Sequence, residues 1–167
     1  MHKHRALLLA ATVTAATVTA ASAAMASAST GTRQAAAGTE YIQVMSASTA
    51  PAPASAIARG VFSAAGQARL GDARTGTITF PGGMIVVSHR ARHSASQFDP
   101  WACLSVISQS GTYQIVRGTG RYAGISGHGA YQLSLEIVAT RVHGHCSSAR
   151  PPVAQQELLR LAGPVRR

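Results

Sequence analysis

The run GTYQIVRGTGRYAGISGHGAYQLSLEIVATRV, residues 111–142, holds two strand-like segments on either side of a glycine-rich crossing. In His128–Val142, Tyr131, Leu133, Leu135 and Ile137 share one face, and Gln132, Ser134 and Glu136 share the other. A period of two marks a β-strand with one side packed. Gly111–Arg117 (GTYQIVR) is the second segment. Between them, Gly118, Gly120 and Gly124 have a G-x-G-x-x-x-G spacing that invites a nucleotide-binding reading. A pyrophosphate site needs a helix N-terminus after the glycines, with its exposed amides and dipole. The next residues are Ile125-Ser126-Gly127-His128-Gly129, which do not start a helix, so that reading is set aside. Gly118, Gly120, Gly124 and Gly127 are read instead as a structural turn, permitting positive φ and a bulged crossing between two strands.

Short β-type runs split by Gly, Pro and Ser continue on both sides. Toward the N-terminus they are Glu40–Ser48, Ile57–Ala65, Thr75–Phe80 and Met84–His93, with Pro81-Gly82-Gly83 as the turn of a hairpin. Alternation in the last run puts Ile85, Val87, His89 and His93 on one face and Met84, Val86, Arg90 and Arg92 on the other. Ser94–Pro100 reads as a loop before another strand, Cys103–Ser110, and His143–Pro152 reads as a loop holding Cys146. Val153–Ala162 is open to two readings. Its Ala-Gln-Gln-Glu-Leu-Leu-Arg core favours helix locally, as do Pro152 before it and Gly163-Pro164 after it. If the sheet closes, however, this run is the strand that seals it, and strand is the reading adopted. Sixteen Gly and seven Pro suit such a turn-rich chain. Seven or eight short antiparallel strands with tight turns over residues 40–167 point to a single all-β domain, a barrel or a sandwich. Closure removes the exposed edges that a strand-rich protein must protect.

The N-terminus reads as an address. Lys3 and Arg5 precede an apolar run, Ala6 to Ala11, which fades into small residues as far as Thr30. A basic start, a short apolar stretch and a small-residue exit are the three parts of a secretory signal peptide. Cleavage has three candidate sites, after Ala23, Ala26 or Ala28; the last is favoured, giving a signal peptide over 1–28 and a disordered leader over 29–39. A secreted, extracellular protein with no transmembrane anchor is therefore expected. From Ser29 onward the chain has thirteen Arg, no Lys and five acids, a surplus of +8. In an oxidising compartment Cys103 and Cys146 are most simply one disulfide; a free thiol or a metal ligand is the alternative.

The segment GTYQIVRGTGRYAGISGHGAYQL resembles the strand–GTG[RK][YF]–strand element of the allene oxide cyclase-like barrel superfamily, which includes plant dirigent proteins and many secreted actinobacterial proteins. The approach CLSVISQSGTY at 103–113 and the ending from Cys146 to Val165 resemble its uncharacterised bacterial branch. The resemblance covers roughly residues 54–165 and is strongest over 103–135. It implies an all-β fold, a single antiparallel eight-stranded barrel over residues 40–167, and a homotrimer. The catalytic acidic and polar lumen residues of the plant enzymes find no matched position here, so cyclase and coupling activities are not carried over.

Other candidate chemistry is thin. His143-Gly144-His145-Cys146 has metal-like spacing but needs further ligands, such as His89 or His93, and loses Cys146 to a disulfide. No metal or cofactor is assigned. Arg90, Arg92, Arg117 and Arg121 lack the interleaved aromatics of a nucleic-acid surface and read as solvated strand-end charges. Glu136 is an acid inside a strand with no identifiable partner, and outward is its default. No Ser/His/Asp triad and no Gly-x-Ser-x-Gly elbow is legible, and catalytic residues stay unassigned. Tyr113 and Tyr131 are candidates for the lumen. The leading expectation is a binding or structural module. The alternatives are a cyclase- or isomerase-like barrel holding a small apolar ligand, and weak electrostatic binding to polyanions.

Overall fold

The computed structural model describes residues 36–49, 52–70 and 74–167. The expected signal peptide, and the leader as far as residue 35, lie outside these. The described residues form ten strands, in chain order β1 (Ala37–Ser46), β2 (Ala54–Arg59), β3 (Ala64–Leu70), β4 (Thr75–Phe80), β5 (Gly83–Asp99), β6 (Leu104–Gly118), β7 (Ser126–Val138), β8 (Thr140–Val142), β9 (His145–Ser147) and β10 (Ala154–Arg166). Eight of them close an antiparallel barrel in the order β1-β10-β7-β6-β5-β4-β3-β2, and β8 and β9 form a separate two-stranded ribbon.

The strand reading of residues 153–162 holds, because tertiary pairing overrides local helix propensity. β10 lies between β1 and β7 and pairs with both, Leu161 opposite Ile42 on one side and Tyr131 on the other. Other boundaries move. The first strand starts at Ala37 instead of Glu40. The Ile57–Ala65 run is broken at Gly60 (φ 139), which ends β2 and starts the turn into β3. Ser94–Asp99 is not a loop: β5 runs unbroken to Asp99, and Leu104–Ser110 joins Gly111–Arg117 in one long β6, with Cys103 left in the turn before it. The face assignment of His93 also changes. A register shift between Ala91 and His93 inserts one residue into β5. A bulge of this kind flips every later side chain to the opposite face. His93 therefore pairs with Ser110 on the outer wall, while His89 remains inside with its ring 5.2 Å from that of Tyr131.

The core is the lumen itself. Ile42, Val44, Ile78, Ile85, Val87, Ile115 and Leu161 fill it from five strands, and small residues (Ala54, Ala56, Ala58 and Ala68) line the β2–β3 side. Cys103 and Cys146 are joined, with Cα atoms 5.4 Å apart. The bridge ties the β8–β9 ribbon to the tip of the β5–β6 hairpin. The ribbon turns at His143 (φ 50) and Gly144 (φ 84). Both residues are left-handed, as the tightest hairpin turn requires.

Candidate functional site

One end of the barrel is plugged. Phe62, Phe80 and Tyr122 are mutually packed, with ring centroids 5.0 to 5.7 Å apart. The glycine segment builds this plug. After Gly118 the chain makes a single 3-10 turn, Gly120–Tyr122, which seats the Tyr122 ring inside. Backbone N–H groups of Thr119 and Arg121 donate to the carbonyls of Met84 and Gly82 at 2.9 and 2.8 Å, sealing the turn against the β4–β5 hairpin. Gly120 has φ 57 and would drive a Cβ to 2.1 Å from the Gly82 carbonyl oxygen. Of the four glycines, Gly120 and Gly124 take positive φ, whereas Gly118 ends β6 and Gly127 lies inside β7, and it is the strand β7 that follows the turn, not a helix.

Above the plug lies a buried polar pair. Glu40, Gly163, Gly129 and Tyr113 form one inward row across β1, β10, β7 and β6. The two glycines leave the wall bare between the carboxyl and the phenol. Glu40 is 0% exposed. Its Oε2 accepts the Phe62 N–H at 3.0 Å, while its Oε1 and the Tyr113 hydroxyl have no partner among the described residues. Burial raises the Glu40 pKa, against the backbone N–H groups of Phe62, Val61 and Arg59. Tyr113 is also pushed up, first by burial and then by the Glu40 charge. One layer higher, Tyr131 crosses over Gly111 and its hydroxyl donates to Gln109 Oε1 at 2.7 Å. Burial raises its pKa too.

The opposite end is an open mouth with unequal walls. β2, β3 and β4 are six or seven residues long, whereas β5, β6, β7 and β10 are thirteen to seventeen. The long strands overhang the short ones as an apron. Its inward rows are Ser46, Glu157, Leu135, Ile107 and Ser96, then Gln155, Ile137, Ser105 and Phe98. Ile107, Leu133, Leu135 and Ile137 are only half-buried. At the base of the mouth a cavity of about 310 Å³ is lined by Ser46, Ala54, Ala68, Arg69 and Glu157. Burial holds the Glu157 carboxyl above its ordinary value.

Tyr113 and Tyr131 do face the lumen, and Glu136 faces outward and is exposed. Arg90, Arg92, Arg117 and Arg121 are exposed on β5, β6 and the plug turn. Among the described residues no three His, Cys, Asp or Glu side chains come together as a metal site. Sequence reasoning missed both inward acids. The signal was present: Glu40 alternates with Ile42 and Val44, and Glu157 with Leu159 and Leu161. Among the described residues no helix is long and apolar enough to cross a membrane. No family model, no curated protein and no solved structure matches this chain.

Proposed function

We propose that this chain is a secreted binding module of the allene oxide cyclase-like barrel type that takes a small, mainly apolar ligand at its open mouth. The observation that carries the reading is the half-buried aliphatic apron of Ile107, Leu135 and Ile137, with the desolvated Glu157 carboxyl in the same row as Leu135 and Ile107 and lining a small cavity of its own. Small-molecule sites combine apolar walls with a few polar groups that fix orientation. Eight-stranded barrels are wide enough to hold one small ligand. The cavity beside Glu157, about 310 Å³, is at the low end of the usual range of roughly 300–1,000 Å³. The signal-like N-terminus, the Cys103–Cys146 bridge and the GTGRY segment support the export and family parts of the reading.

A second reading is a cyclase- or isomerase-like enzyme. The desolvated Glu157 carboxyl at the mouth favours it, since burial shifts its pKa upward, the direction that suits a general acid. Native mass spectrometry of the protein purified from its producing host separates these outcomes. A bound small molecule, lost in a Leu135→Arg variant, is the expected result. A ligand recovered chemically altered after incubation favours the enzyme. No bound mass, together with unchanged thermal stability across a panel of small apolar compounds, would overturn both readings.

A further inference from the structure

The tip of the β5–β6 hairpin presents the chain's one tryptophan to solvent in a rigid frame. Trp101 is 89% exposed, Phe98 55% and Val153 64%. The remaining exposed large apolar side chains among the described residues, Tyr41, Met45 and Val116, lie on the barrel wall. An aromatic side chain left in water usually reflects a mobile loop or an unfilled contact, and this loop is braced. Asp99 Oδ1 accepts the N–H groups of Trp101 and Ala102 at 2.8 and 3.2 Å, an Asx-type turn that fixes the backbone. The disulfide joins Cys103 to the ribbon, and Arg141 donates to the carbonyls of Trp101 and Gly144. Val153 is held nearby through its N–H to Val138, which pairs with Leu104.

The surroundings are cationic. Arg141 and Arg150 are exposed in the same disulfide-linked lobe, with His143 and His145 on the ribbon turn. The described acids beside this lobe are Asp99, whose Oδ1 is engaged by the backbone, and Glu136 on the outer wall of β7. We infer that this lobe docks on an anionic lipid surface, with Trp101 entering the headgroup region and Arg141 and Arg150 meeting lipid phosphates. Trp has an apolar body and a polar N–H, and it partitions to the membrane–water interface. Each basic side chain close to an anionic leaflet strengthens attachment about fivefold. The cationic surroundings and the exposed Trp101 ring together select a lipid surface over a soluble polyanion, which would use the arginines and leave the indole idle. The inference is independent of the ligand reading, although the same hairpin walls the mouth.

Because the chain has a single Trp, its fluorescence reports this contact directly. The disulfide-intact protein is titrated with vesicles of phosphatidylcholine alone and of equimolar phosphatidylcholine and phosphatidylglycerol, at low and moderate salt. Expected is a blue shift and co-sedimentation with the anionic vesicles only, weakening as salt rises. Trp101→Ala, which removes an exposed side chain, weakens co-sedimentation about tenfold. Arg150→Glu keeps the fluorophore and weakens it roughly twentyfold. Circular dichroism checks that both variants keep the barrel. Absence of binding, equal binding to both vesicle types, or wild-type binding by folded Trp101→Ala would each overturn the inference. So would equally tight binding to inorganic polyphosphate with no spectral shift, in favour of simple polyanion attraction.

Discussion

Glu40 is the most demanding group in the barrel, and replacing it tests whether the lumen is held by polar as well as apolar contacts. Alanine removes one buried methylene, about 0.8 kcal/mol. It also strips the Phe62 N–H of its acceptor, at about 1–3 kcal/mol for an unsatisfied buried donor. Glu40→Ala is therefore expected to lose about 2–4 kcal/mol, a fall in Tm of roughly 7–15 °C for a domain of this size. Glu40→Gln keeps the shape and an oxygen for Phe62 but cannot ionise. The folded chain holds the Glu40 proton more tightly than the unfolded chain, whose carboxyl titrates near the ordinary 4.5. Its contribution is then fully present below that pH and is lost as pH rises through the raised folded value. Urea unfolding of wild type and Glu40→Gln at a series of pH values isolates this term, because Glu157, shifted in the same direction, is common to both. The gap between the two must move in favour of Glu40→Gln as pH rises. Parallel stability curves, or a loss of less than about 1 kcal/mol in Glu40→Ala, would refute the reasoning.

The remaining tests probe the bridge, the Tyr131 hydroxyl and the glycines. Replacing Cys103 and Cys146 by Ser should cost about 4 kcal/mol in urea unfolding, the loop-entropy value for a closed segment of this length. Tyr131→Phe removes the hydroxyl that donates to Gln109, and about 1 kcal/mol of stability should go with it in the same assay. A Cβ at Gly129 would lie 2.1 Å from the Ala162 carbonyl oxygen, whereas Gly124 has open space and only its positive φ at stake. Thermal melts should show Gly129→Ala losing at least about 2–3 kcal/mol and Gly124→Ala roughly 1 kcal/mol.

The strands were legible wherever alternation met a punctuating turn. Thr75–Phe80, Pro81-Gly82-Gly83 and the segment from Met84 are one hairpin in sequence and in structure, and Tyr131, Leu133, Leu135 and Ile137 do share the inner face. His93 was not legible, because a one-residue bulge carries no compositional mark and reverses the face of everything beyond it. Ser94–Asp99 has loop-like residues because this part of β5 overhangs the mouth and packs on little; pairing with β6 is what makes it a strand. The inward acids show the opposite failure. Glu40 and Glu157 follow the alternation that places them inside, and the usual expectation that carboxylates face water hides them.

The position of β10 has a consequence for how the chain acquires its shape during synthesis. β1 and β7 are completed long before residues 154–166 emerge, yet each has one flank that only β10 can cover. Until then, ten residues of β1 and most of β7 present unpaired backbone groups as two open seams. The barrel therefore cannot zip up progressively from the N-terminus, and its last-made strand acts as a keystone. A chain truncated before Ala154 should accumulate as a soft, self-associating sheet, whereas the full chain closes in one late step.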